Sequence, residues 1–183
     1  MKRLSFIVLA MFSCGVYAQE PKFAPVDTSP ADIVYFPLNA AKAKDDSKPL
    51  VKLVYSRPTK KGREIFGVLE QFEKVWRLGA NESTEIKFYK HVRIGGKRIK
   101  AGTYSLFAIP GREKWTFIVN KQVDRWGAFS YDVSKDLVRI EVPVIQLLKP
   151  MESFSMTFVT QTYGADLTIG WDTTMVQVPI QIK

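Results

Sequence analysis

From residue 50 onward, apolar and polar residues alternate along the chain, which is the pattern of strands that bury one face. In the first such segment Val51, Leu53 and Tyr55 share one face, while Lys52 and Ser56 lie on the other. The alternation returns around residues 86–88, 104–108, 115–119, 138–142, 154–158, 167–171 and 176–182. This part of the chain is therefore predicted to form a series of short strands.

Turn sequences separate these segments, notably Gly95-Gly96, Pro110-Gly111 and Tyr163-Gly164. Short strands at this spacing, without a long helical stretch between them, are typical of all-β domains. We predict a single antiparallel β-sandwich, jelly-roll-like, over residues 50–183. The sequence shows neither a second domain nor an internal repeat.

One segment departs from the alternation. Five apolar residues fall at helical spacing there, although a glycine interrupts them: Ile65, Val68, Leu69, Phe72 and Trp76. We predict a short crossover near residues 64–78, either helical or irregular.

The N-terminus has the features of a secretory signal peptide. Lys2 and Arg3 precede an apolar run over residues 4–12, and small residues lead to Ala18. The run is shorter than the roughly 20 residues that cross a membrane, so we expect a mature chain without a transmembrane segment. Cleavage after Ala18 predicts an exported, periplasmic or extracellular protein. Lipid anchoring at Cys14 is the alternative that the bulky residues before it disfavour.

Residues 19–49 are rich in proline and predict a tail or wrapping segment. Its single short apolar run, over residues 33–36, is compatible with an edge strand.

The composition excludes several kinds of functional site. One Cys and one His exclude a disulfide framework, Cys-rich zinc sites and His-pair metal motifs, so we expect neither a metal nor a cofactor. The formal net charge is +9, with basic runs at residues 60–63 and 93–100. We interpret these runs first as solubilising faces, with an acidic polysaccharide or membrane surface as the alternative. Because no dense basic stripe with interleaved aromatics occurs, nucleic acid is not an expected partner.

Five residues are candidates for ligand binding: Arg57, Arg63, Arg77, Asn81 and Trp126. In a regular strand Arg57 falls on the apolar side, where its guanidinium needs a partner. One interpretation pairs Arg57 or Arg77 with an acid of the crossover, namely Glu64, Glu70 or Glu82. The other presents the guanidinium to an anionic or polyhydroxyl ligand. Trp126 lies outside any clean strand, where loops carry function.

The same region carries a resemblance to a known family. The motifs concerned are Tyr55-Ser56-Arg57-Pro58, Lys61-Gly62-Arg63, Phe66-Gly67, Val75-Trp76-Arg77, Gly79-Ala80-Asn81, Ala101 to Phe107, and Trp126-Gly127. From about Leu50 to the C-terminus the chain resembles the exported bacterial family called domain of unknown function 2911, common in Bacteroidetes. The resemblance implies a single exported domain without an established activity, and it brings no catalytic residues.

Three functions remain in view. The first is a non-catalytic binding module for a glycan or small anionic ligand. The second is a structural component of the cell envelope that binds another envelope protein. The third is a hydrolase that uses a carboxylate pair, for which acids such as Glu64 and Asp172 are available. No nucleophile motif occurs, so the sequence names no catalytic residue and favours binding over catalysis.

Overall fold

The computed structural model describes residues 20–42 and 48–182. The predicted signal peptide and Cys14 lie outside this range. Within it the chain forms ten strands: β1 (Ala31–Phe36), β2 (Val51–Ser56), β3 (Glu85–Phe88), β4 (Val92–Ile94), β5 (Lys97–Ile99), β6 (Gly102–Ile109), β7 (Lys114–Asn120), β8 (Asp136–Pro143), β9 (Ile145–Gln161) and β10 (Gly164–Ile182). Two single-turn 3-10 helices accompany them, Ala40–Lys42 and Val133–Lys135.

The strands form two antiparallel sheets. One contains six strands in the order β1-β2-β3-β6-β7-β8, and the other contains four in the order β5-β4-β10-β9. The alternating apolar residues of both sheets form one hydrophobic core, in which Trp115, Phe117, Phe154 and Leu167 are buried. This arrangement confirms the predicted all-β sandwich.

The segment between β2 and β3 is irregular, and the helical alternative is wrong. Ile65 and Trp76 are buried, but Val68 and Leu69, on the same predicted helical face, are exposed. The chain is held extended at Trp76, which exchanges two backbone hydrogen bonds with Ala108 of β6 at 2.7 and 2.9 Å. We call residues 57–84 the crossover.

The apolar run at residues 33–36 lies in β1, an edge strand of the six-stranded sheet that pairs with β2 along its whole length. Part of the proline-rich segment therefore belongs to the sandwich. Among the described residues, no helix is long and apolar enough to span a bilayer.

Candidate functional site

Arg57 is held by three acceptor groups of the protein. It follows β2, and its Nη1 lies 3.0 Å from the Asp32 carboxylate of β1. Its Nε donates to the Phe154 carbonyl at 3.2 Å and its Nη2 to the Ser155 hydroxyl at 2.8 Å, both in β9. Because β1 and β9 are edge strands of different sheets, this guanidinium clamps the two sheets together.

Tyr55 reinforces the same edge. Its hydroxyl accepts the Met156 backbone N–H at 3.0 Å and lies 3.5 Å from Asp32. Burial raises the pKa of this hydroxyl. The structural interpretation therefore describes Arg57, but its carboxylate partner is Asp32 and not one of the crossover acids. Sequence spacing does not reveal this partner because Asp32 comes from the proline-rich segment.

Arg63 is exposed and folds back on its own turn. Its Nε donates to the Lys60 carbonyl at 2.9 Å and its Nη2 to the Thr59 carbonyl at 2.5 Å. These contacts order residues 59–63.

Arg77 and Glu70 lie in the crossover, and both are half-buried. Burial raises the pKa of Glu70 to about 7, although Arg77 and Arg63 act to lower it. Within residues 20–42 and 48–182, neither group forms an ion pair, and the buried Nε of Arg77 has no hydrogen-bond partner. The predicted pairing of Arg77 with Glu70 is therefore not formed among these residues, although the Arg77 charge still acts to lower the pKa of Glu70.

Asn81 and Trp126 lie on two loops joined by backbone contacts. Asn81 adopts a left-handed conformation with φ 59°, and its carbonyl accepts the Gly127 N–H at 2.9 Å. Glu82 forms an isolated bridge with Trp126, whose side chain is 62% exposed. Of the five sequence candidates, only this pair is joined by direct backbone contacts between its loops.

A different set of basic residues surrounds a cavity of about 570 Å³ at the β4–β5 hairpin. We call this cavity the basic cleft. Lys90, Arg93 and Arg98 line it together with Tyr89 and His91. No Asp or Glu among the described residues contributes to the lining, and none of the three cations pairs with a carboxylate there.

Strand register places two of these arginines side by side. Arg93 of β4 is directly opposite Arg98 of β5 and, on its other side, opposite Gln181 of β10. Val92 and Ile94 are buried while Arg93 is exposed, so the arginines lie on the outer face of the sheet. Directly opposed like charges destabilise a sheet, which makes this row electrostatically suited to an anion.

Two side chains of the basic cleft also form hydrogen bonds within the protein. Arg93 donates through Nη1 to the Gly96 carbonyl at 3.0 Å. His91 accepts the Ala101 backbone N–H through Nδ1 at 3.0 Å, so its Nε2 is the ring nitrogen left for a ligand.

The sequence does contain a signal for the Arg93–Arg98 pair, but it lies in the turn residues between them and not in the number of charges. Gly95 and Gly96 have φ values of 57° and 75°, as a two-residue hairpin turn with two left-handed residues requires. Such a turn pairs the residues on either side of it symmetrically, which sets Arg93 opposite Arg98. Interpreting the run at residues 93–100 only as a solubilising face misses this pairing.

No group of three or more His, Cys, Asp or Glu in the described part of the chain is arranged to hold a metal ion. A family model described as a protein of unknown function, DUF2911, matches residues 37–180. The match begins upstream of Leu50, where the sequence motifs place its start. No curated protein and no solved structure matches the chain.

Proposed function

Because this chain belongs to the DUF2911 family, whose description names no activity, its function must be inferred from its own geometry, and we propose that it is an exported binding module for a small anionic ligand. The observation that carries the proposal is the Arg93–Arg98 pair in the basic cleft. The signal-peptide pattern of residues 1–18 supports export.

The chemistry of the cleft suits an oxyanion. Two neighbouring guanidinium groups present planar sets of N–H donors, which match the oxygens of a phosphate or carboxylate. Binding such a group would also relieve the repulsion between Arg93 and Arg98. Lys90 adds a third cation to the same lining.

Size and surroundings suit a small molecule that carries such a group. The 570 Å³ cavity falls in the range of small-molecule sites. Tyr89 supplies an aromatic surface beside the cations, with the Lys87 ammonium 4.9 Å from its ring centroid. We therefore propose a phosphorylated or carboxylated small molecule as the ligand class.

Thermal unfolding of the purified protein tests the proposal, since a ligand that binds only the native state raises the midpoint. The probes are inorganic phosphate and glycerol 3-phosphate, with glycerol and sodium chloride at matched ionic strength as controls. We expect both phosphates to raise the midpoint of the parent and neither to raise that of Arg93→Gln or Arg98→Gln.

Arg63→Gln is the matched control, because Arg63 is an exposed arginine outside the basic cleft. It should respond like the parent. An equal response in all variants would contradict the proposal. Absence of a response in the parent would favour the alternative, a structural or protein-binding component of the envelope.

A further inference from the structure

A second cavity, of about 260 Å³, lies where the crossover meets β7 and β10. It shares no lining residue with the basic cleft. Aromatic rings form one part of its wall, and polar side chains form the rest. We call it the crossover cavity, and its ligand is independent of any anion bound in the basic cleft.

The aromatic wall belongs to a larger cluster of rings. Phe66 packs on Trp115 with ring centroids 5.0 Å apart, and it contacts Trp76 and Trp171 at 5.8 and 6.4 Å. Phe72 lines the same cavity. Flat apolar rings of this kind are suited to packing against the apolar face of a ring-shaped ligand.

Trp115 carries the central observation. Its side chain is 1% exposed and lines the cavity, yet its indole N–H has no partner among the described residues. The indoles of two neighbours in the cluster are satisfied. Trp76 donates to the Gly79 carbonyl at 3.3 Å and Trp171 to the Glu152 carbonyl at 3.2 Å. A buried donor without a partner is costly, so a ligand that settles against the Trp115 wall and accepts this N–H would remove that cost.

The charges around the cavity indicate which ligand fits. Asp172 lines it but is neutralised by Lys60, whose Nζ lies 2.6 Å away. Arg112 lines it and lies over Phe72, 4.7 Å from the ring centroid, while Glu64 supplies an opposite charge. Lys60 balances Asp172 and Arg112 balances Glu64, so the cavity has no net charge that would attract an anion or a cation.

Ligand hydroxyl groups suit a lining that contains both hydrogen-bond donors and acceptors, because each hydroxyl both donates and accepts hydrogen bonds. Gln146 and Thr174 extend the set of donors and acceptors. Asp172 is held in a left-handed conformation, φ 52°, between two register shifts of β10 against β9. Such irregularities direct side chains toward sites at sheet edges. We propose that the crossover cavity binds one neutral sugar ring.

The test follows the indole N–H signals of the ¹⁵N-labelled protein by NMR during titration with glucose, N-acetylglucosamine or galactose. Triple-resonance assignment identifies the Trp115 signal, so the buried Trp115 need not be replaced. We expect at least one of the sugars to shift this signal saturably, at concentrations up to about 50 mM that would reveal even a dissociation constant near 1 mM.

Gln146→Ala supplies the matched variant, since Gln146 is exposed and lines the cavity. It should weaken binding about fivefold, as expected for loss of one hydrogen bond. Gln71→Ala, an exposed glutamine of the crossover outside the lining, should leave the affinity unchanged. The proposal is overturned if no sugar in the panel shifts the Trp115 signal. It is also overturned if Gln146→Ala binds as tightly as the parent.

Discussion

Arginine lies at both the clamped edge of the sandwich and the outer face of the β4–β5 hairpin, but in opposite surroundings. At the edge, Arg57 meets a carboxylate, a carbonyl and a hydroxyl, all from the protein. On the hairpin, Arg93 faces Arg98 across the strands, and no carboxylate of residues 20–42 and 48–182 lines their cleft. An arginine held by three acceptors of the protein stabilises the fold, whereas an arginine opposed by another arginine is the one that we propose as a ligand contact.

Arg77 lies between these cases. It is half-buried like a structural arginine, yet its Nε has no partner among the described residues. The nearby Glu70 carboxyl has a pKa raised to about 7 by burial, so at neutral pH the charge that would balance Arg77 is only partly present. Arg77 thus neither joins the two sheets as Arg57 does nor lines the basic cleft.

The largest expected effect is on the clamp. Arg57→Ala leaves the Asp32 carboxylate and two β9 acceptors without their partner, so we expect a loss of about 2–3 kcal/mol in the free energy of unfolding. Since Arg57 and Asp32 side chains are each 37% exposed, the loss should be smaller than for a fully buried pair. Urea denaturation measures it.

Arg63→Ala is the control, because the side-chain hydrogen bonds that Arg63 forms within the described part of the chain go to carbonyls of its own turn. It should cost far less. Phosphate should still raise the midpoint of the folded Arg57→Ala protein. A variant as stable as the parent that no longer responds to phosphate would reverse the comparison and make Arg57 the ligand-binding arginine.

The next effect concerns Glu70 and depends on pH. In the folded state its pKa lies near 7, above the ordinary 4.5, so the folded protein holds a proton that the unfolded chain releases. The resulting cost is absent below about pH 4.5, grows up to pH 7 and is fully present above it. Glu70→Gln removes the ionisation. The full pKa shift corresponds to about 3 kcal/mol, and because Glu70 is only half-buried we expect a stabilisation of about 2 kcal/mol at pH 8.5.

Urea denaturation at pH 4 and pH 8.5 checks this prediction. At pH 4 parent and Glu70→Gln should have nearly equal stability. Glu64→Gln, an exposed acid of the same crossover, should change stability little at either pH. If Glu70→Gln gives the same difference at both values, ionisation of Glu70 is not the cause.

The fold follows from the sequence because alternation reports which face of a strand is buried. Trp115, Phe117 and Val119 alternate in the sequence and are all buried in β7. In the crossover, by contrast, helical spacing of apolar residues does not report which residues are buried. The backbone pairing of Trp76 with Ala108 is a tertiary contact that holds this part of the crossover extended, and local spacing does not encode it.

The candidate sites are harder to predict from the sequence, because they too depend on tertiary contacts. A lone arginine in a sequence has no visible partner, so the sequence leaves Arg57 compatible with a ligand site as well as with internal pairing, the commoner use of a buried arginine. The partner that decides it, Asp32, is remote in sequence. The Arg93–Arg98 opposition was accessible in principle, since it follows from the register of a two-residue Gly-Gly turn.

The smallest predicted effect comes from the repulsion between Arg93 and Arg98. Arg98→Gln removes one of two directly opposed like charges, so at low salt it should stabilise the protein by a few tenths of a kcal/mol. The gain should disappear near 1 M sodium chloride, where the Debye length is about 3 Å. Lys97→Gln, at an exposed position of the same strand opposite apolar Ile94, is the control that should show a smaller gain. If Arg98→Gln instead destabilises the protein at low salt, the arginines do not oppose each other as the register implies, because removing Arg98 would then break a favourable contact.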